Sequence, residues 1–323
     1  MNSIFAWVNF CVDKFKEFDN IIIVDSLNYA GNTNNISEII ENSNISLIPK
    51  DIVNVDFEKL FVDYKINTII NFAAQTHVDR SISDADPFLV SNIRGTFTIL
   101  QIITKQKKRM IQISTDEVFG SLYDSSATEQ SRFNPSSPYA ATKASAELLV
   151  NSFSVTYDSD VIVTRCTNNY GPRQFPEKLI PKVIILANQN KKIPIYGNGK
   201  NIRDWIFVDD HCDAVSSVLF NGKKGESYNI SANNEVDNIT IVKKILAIMD
   251  KSEDLMQFVE DRPGHDFRYS LNSKKISDEL GWKRNTNFDE GIRKTVQWYL
   301  DNPEILNDIS STVLDSTPWK SSN

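Results

Sequence analysis

Short β-branched runs alternate with helix-like segments through the first half of the chain, and this alternation restricts the fold more than any other feature. Ile21-Ile22-Ile23-Val24 ends at Asp25, residues 45–48 precede Asp51-Ile52, and residues 68–72 run into Ala73-Ala74. Met110-Ile111-Gln112-Ile113-Ser114 leads into Thr115, and residues 161–165 form a further run. Such short, almost continuously apolar runs are those of strands buried on both faces, as in parallel sheets. Between them, residues 87–105 place Phe88, Val90, Ile93, Phe97, Ile99 and Leu100 at helical spacing, and Pro138 opens another helix. Strand and helix in alternation predict a parallel sheet covered on both faces.

The second half is less regular. A helix over 176–189, a strand-like Arg203–Val208 segment leading into a helix over 209–220, and later short strands near Tyr228 and Phe258 read as a smaller α/β lobe. Its segments interleave with the first unit. The expected division is residues 1–170 with 204–230 returning to them, then 171–203 and 231–310 as the second lobe. Residues 311–323 read as a loosely ordered tail.

Net charge is −7, which disfavours a nucleic-acid backbone as partner. Cys11, Cys166 and Cys212 are too few and scattered for a disulfide framework, so a reducing, cytoplasmic compartment is expected. His77, His211 and His265 lack metal-ligand spacing, so no metal is expected. No apolar run approaches the ~20 residues of a membrane span, and no basic region precedes the apolar start, so neither a membrane partner nor a signal peptide is expected.

Thr115, Asp116 and Glu117 fall at the carboxyl end of a predicted strand, where open α/β sheets place their chemistry. Tyr139 and Lys143 share one face of the following helix by their i, i+4 spacing. A cation beside a phenol favours the phenolate, so Tyr139 is expected to take a proton near neutral pH. A second Tyr-x-x-x-Lys match, Tyr196 to Lys200, contains Gly197 and Gly199, which argue against a helix. Two adjacent carboxylates add a second proton-handling unit, which suggests a dehydratase built on a dehydrogenase.

The chain resembles the nucleoside-diphosphate-glucose 4,6-dehydratases of the extended short-chain dehydrogenase/reductase superfamily over about residues 7–300. The motifs carrying the resemblance are Asn71-Phe-Ala-Ala-Gln-Thr-His-Val-Asp-Arg-Ser81, Ser114-Thr-Asp-Glu-Val-Phe-Gly120, Ser137-Pro-Tyr-Ala-Ala-Thr-Lys143, Asn168-Asn-Tyr-Gly-Pro172, Phe175-Pro-Glu-Lys-Leu179, Arg203-Asp-Trp205 and Asp261-Arg-Pro-Gly-His265. It implies a Rossmann-like doubly wound parallel sheet with a smaller interleaved α/β substrate lobe. It also implies an NAD-dependent hydro-lyase. C4 of the glucosyl unit is oxidised, water is lost across C5 and C6, and hydride returns to C6. Arg203-Asp204-Trp205 leans towards the branch acting on dTDP-glucose, while Gln75-Thr76 keeps UDP-glucose as an alternative. Related epimerases and decarboxylases share the Tyr-Lys pair but usually lack Thr-Asp-Glu at this strand end.

The resemblance further implies roles for single residues. Tyr139, assisted by Lys143 and oriented by Thr115, removes the 4-hydroxyl proton. Glu117 takes the C5 proton, and Asp116 protonates the departing 6-hydroxyl. Asp25, Asn28, Asp51, Ile52, Ala73, Ala74, Asn92 and Asn169, with Tyr139 and Lys143, match cofactor positions. Thr76, Thr115, Asn168, Lys178, Leu179, Tyr196, Arg203, Asn238, Arg262 and His265 match sugar-nucleotide positions. A homodimer joined through the helices at about 87–105 and 138–157 is implied as well.

One departure is large. The family opens with a strand and a Gly-x-x-Gly-x-x-Gly turn whose amides meet the pyrophosphate. Here Ile4 stands where the last glycine belongs, Val8-Asn9-Phe10 matches the first helix, and the first strand is missing. A truncated or misread gene start is one reading. A degraded, inactive relative that binds sugar nucleotide without turnover is the other.

Overall fold

The computed structural model describes residues 18–41, 44–307, 309 and 313–320; the glycine-turn positions and Val8-Asn9-Phe10 lie outside them. Four parallel strands form the main sheet in the order β3 (Thr68–Asn71), β4 (Arg109–Thr115), β5 (Val161–Cys166) and β9 (Ser227–Ile230). Two further strands, β1 (Ile21–Asp25) and β2 (Ile45–Pro49), pair in parallel with each other. An apolar cleft of about 430 Å³ separates β1 from β3, lined by Ile21, Ile23, Phe61, Ile70, Phe72 and Ile99 among others.

The strands form where the β-branched runs predict them, because those runs bury both faces. All six residues of β5 are buried, and so are all of β4 except Arg109. The helices Gly95–Gln106 and Pro138–Tyr157 cover one side through Ile99, Leu100, Ile103 and Val150. The other side carries the largest core, where Ile111, Ile113 and Ile162 meet Val215, Val218 and Tyr228. β9 joins the main sheet beside β5, in parallel with it.

The lobe itself has two small sheets. In one, β8 (Ile202–Phe207) is flanked by β6 (Asn168–Tyr170) and β10 (Glu235–Asp237). In the other, β7 (Ile193–Tyr196) pairs in parallel with β11 (Met256–Val259). Helices Leu179–Asn188, Asn238–Ile248 and Phe288–Asp301 pack around them through Ile184, Ile245 and Val296.

Two expectations are corrected. The helix predicted over 87–105 is not uniform: residues Leu89–Arg94 form a π-turn between Asp86–Phe88 and Gly95–Gln106. Asn92 lies within this turn, fully buried, and π-turns of this kind recur at functional sites. The tail is not loose where it is described: Leu314 packs on the main core and Trp319 is buried.

Candidate active site

β4 ends in Thr115, and the next residues turn into a short 3₁₀ segment, Asp116–Phe119, capped by the Thr115 hydroxyl. That hydroxyl accepts from the Glu117 amide at 3.3 Å and donates to Asp116 Oδ1 at 3.1 Å. One side chain therefore sets the position of both carboxylates. Asp116 is 4% exposed, and its Oδ2 has no hydrogen-bond partner among the described residues. Burial, then the neighbouring Glu117, pushes the Asp116 carboxyl well above its ordinary range, with Arg203 and Thr115 opposing. Its surroundings therefore favour the protonated form.

Glu117 differs from its neighbour. Burial raises it too, but Arg262, Arg203 and Lys178 pull it back. Its Oε2 accepts from the Tyr269 hydroxyl at 3.3 Å. Two adjacent carboxylates thus sit in unequal fields, the condition under which one serves as acid and the other as base.

Tyr139 enters the helix Pro138–Tyr157 two residues after its Ser137 cap, with its amide held by Ser81 Oγ at 3.1 Å. The phenol is 4% exposed and stacks edge-on with Phe88. Its acidity contradicts the expectation from the Tyr-Lys spacing. Burial and then Glu117 drive the phenol well above its usual value, and Thr115 lowers it by a hydrogen bond. Lys143 does not offset this, because its Nζ donates to the Ile113 carbonyl at 2.7 Å. Burial lowers Lys143 to about 8, against the raising effect of Glu147. A positive charge brought by a ligand would ease proton uptake by the phenol.

The sugar-nucleotide positions form a second group. Tyr196 donates to Asp79 Oδ2 at 3.1 Å, and Arg262 Nη1 meets Asp79 Oδ1 at 2.8 Å. Arg262 Nε is buried without a partner among the described residues. His265 Nδ1 lies 2.6 Å from Asp261 Oδ1, edge-on to Tyr196, with burial lowering it to about 4. Lys178 Nζ reaches the Thr76 carbonyl at 2.8 Å, just before Leu179 opens its helix. Arg203 is 4% exposed and donates to the carbonyls of Ile202, Asp266 and Phe267. Arg203, Arg262 and Lys178 all bear electrostatically on Glu117, so the two groups share one site. Asn168 begins β6, and Asn238 begins the helix after β10, its amide on the Asn201 carbonyl.

The cofactor positions run along the carboxyl ends of β1, β2 and β3. Asp25 closes β1, accepts from the Leu27 amide at 2.7 Å and is raised by burial, with Asp51 adding. Asp51 caps the turn Ile52–Asn54, and Asn28 accepts from the Ala30 amide. Ile52 is buried against Gly95, where an added Cβ would come within 2.3 Å of its Cδ1. Asn92 clamps the loop after Ala73 and Ala74: it accepts from the Gln75 amide and donates to the Gln75 carbonyl and Thr142. Asn169 donates to Cys166 Sγ and the Thr167 carbonyl. Acidic residues past adjacent parallel strands fit the ribose hydroxyls of a dinucleotide.

Known proteins carry the same plan. The family model described as GDP-mannose 4,6 dehydratase matches residues 7–295. The dTDP-glucose 4,6-dehydratase of Neisseria gonorrhoeae is 43% identical over 308 residues, covering 88% of this chain and 89% of that one. The dTDP-glucose 4,6-dehydratase of Salmonella typhimurium is 41% identical, covering 92% and 90%. The chain belongs to the dTDP-glucose 4,6-dehydratase family. Among solved structures, DesIV of Streptomyces venezuelae, a dTDP-glucose 4,6-dehydratase with NAD and TDP bound, superposes with a TM-score of 0.89 at 38% identity. The match covers 93% of this chain and 96% of that one.

Within this family member, sequence reasoning missed Tyr269, Asp266 and Asp79. Tyr269 joins Glu117 to Asp266, and the Arg203 guanidinium lies 4.1 Å over its ring. Tyr269 follows the Asp261–His265 motif by four residues, but nothing in its own spacing marks it. Asp79 lay within a quoted motif and was passed over, because its partner Arg262 is 183 residues away.

Proposed function

We propose that the chain is an NAD-dependent dTDP-glucose 4,6-dehydratase that gives dTDP-4-keto-6-deoxyglucose. The observation that carries this reading is the adjacent pair Asp116 and Glu117, beside the Tyr139 phenol and in unequal electrostatic surroundings. A plain dehydrogenase or epimerase has no use for a second proton-handling pair of carboxyls beside the phenol. A bound NAD would supply the hydride acceptor for C4 and the donor for C6, and Asp25, Asn28, Asp51, Asn92 and Asn169 would hold it. The Tyr139 phenolate removes the 4-hydroxyl proton as C4 is oxidised. The resulting C4 ketone acidifies C5, whose proton passes to Glu117. Asp116 gives its proton to the 6-hydroxyl, which leaves as water. Hydride returns to C6 and Glu117 gives its proton back to C5; one proton passed from Tyr139 to Asp116 resets the site, and the net change is the loss of one water.

The substrate side rests on Arg262, Lys178, Tyr196 and His265 meeting the diphosphate and nucleoside. The protein acts as a homodimer in a reducing, cytoplasmic compartment. The apolar side chains Leu89, Val90, Leu148 and Tyr157 support this, since all stand exposed on the two helical segments named for the interface. Incubation with dTDP-glucose and with UDP-glucose, followed by mass spectrometry, tests the reaction. Loss of one water from dTDP-glucose without accumulation of NADH is the expected result, and intact substrate in both tubes would refute it.

A further inference from the structure

We propose that Trp319 positions the nucleotide-side wall of the site, an inference that rests on reading that site as a sugar-nucleotide pocket. Trp319 is 8% exposed and meets Tyr196 edge to face, with ring centroids 4.9 Å apart at 83°. Its short 3₁₀ turn, Pro318–Lys320, packs on the helix Val78–Ser83, which carries Asp79. Tyr196 and Arg262 each occupy one oxygen of that Asp79 carboxylate. The indole therefore closes a chain of contacts, Trp319 to Tyr196 to Asp79 to Arg262, that ends at the buried open Nε.

Three anchors hold the segment in place. Lys182 Nζ donates to the Asp315 carbonyl at 2.7 Å, Leu314 packs on the main core, and Lys320 pairs with Glu260 at 2.5 Å, two residues before Arg262. The segment thus ties together the Lys178–Lys182 helix, the Asp79 helix and the Arg262 loop. Trp319 acts through Tyr196 and is a positioning residue. Thr115, Glu117 and Tyr139 stand on other elements, so loss of the indole should weaken binding and spare the chemistry.

The test uses full-length protein, Trp319→Ala and Trp319→Phe. Steady-state kinetics with dTDP-glucose are paired with calorimetric titration of dTDP. In Trp319→Ala, KM and the dTDP Kd should each rise about tenfold, the scale of one lost aromatic contact with its buried area, while kcat stays within about twofold. Trp319→Phe keeps a ring edge and should recover most of the loss. If the alanine variant lacks a cooperative thermal transition, Leu314→Ala, which loosens the packing of the segment on the main core, should show the same KM rise on a smaller scale. Unchanged KM and Kd, a fall in kcat alone, or phenylalanine no better than alanine would overturn the proposal. If the parent protein binds dTDP without turnover, the reaction reading fails and the Kd comparison alone decides the role of Trp319.

Discussion

Glu147 Oε2 lies 2.7 Å from Arg165 Nη2, both side chains almost wholly buried, one helical turn beyond Lys143. Glu147 Oε1 also accepts from Ser114 Oγ, and Lys143 holds the Ile113 carbonyl. Successive residues of β4 are thus gripped by successive turns of the Tyr139 helix. Arg165 is further enclosed by the rings of Phe119 and Phe133. Removing one partner strands a buried charge, so Arg165→Ala should lower stability by about 3–5 kcal/mol. Chemical denaturation measures it, and a loss below about 1 kcal/mol would show that water reaches the pair.

Asp116→Asn should stabilise the protein while abolishing dehydration. Burial raises the folded-state pKa of Asp116, so the folded chain holds a proton that the unfolded chain has released above the ordinary carboxyl range. Stability therefore falls as pH rises from that range towards the folded pKa. Asparagine removes this term. The variant's thermal midpoint should exceed the parent's by about 2–4 °C at pH 8. The gap should close near pH 4, and scanning calorimetry at the two pH values gives the comparison. A gap that is constant with pH would mean that Asp116 does not change its protonation between the two states.

Glu117→Gln should permit C4 oxidation and stop elimination, because glutamine keeps the shape without the base. Single-turnover absorbance should show NADH forming and persisting. Tyr139→Phe should instead slow the first hydride transfer by roughly 10²–10⁴-fold. Near-normal dehydration by the Glu117 variant would assign the C5 proton to another group, with the Tyr269–Asp266 pair the next to examine.

Leu148→Asp should convert the proposed homodimer to a monomer. Leu148 is 58% exposed on the helix Pro138–Tyr157, whereas Ala144 is buried beneath it against Val118 and Phe119. A charge there costs the subunit little and any apolar interface much. Sedimentation at micromolar concentration checks it, and a monomeric parent would remove the assembly from the account.

The strands were legible because β-branched runs such as residues 110–114 admit few alternatives, and the Pro138 helix announced itself by its start. The unread parts depend on contacts distant in sequence. The π-turn at Asn92 forms around bonds to Gln75 and Thr142, which no local periodicity encodes. β6 and β10 are three residues each and exist only because β8 lies between them. Tyr139 and Lys143 were correctly placed on one helix, but spacing says nothing of where an ammonium points. The Ile113 carbonyl, not the phenol, receives it. Trp319 falls in the tail that reads as loosely ordered, and its partner Tyr196 is 123 residues away in sequence.

Arg203 has consequences for how the site spends its charge. With three backbone carbonyls receiving its guanidinium and the Tyr269 ring beneath it, the side chain has nowhere to travel. It is a fixed pole rather than a closing finger. A cation already oriented needs no rearrangement of its surroundings when charge builds on Glu117 or on an incoming diphosphate, and such reorganisation is what water would demand at the same moment. Lysine at this position would keep the charge and lose the rigidity, separating field from framework in a single substitution.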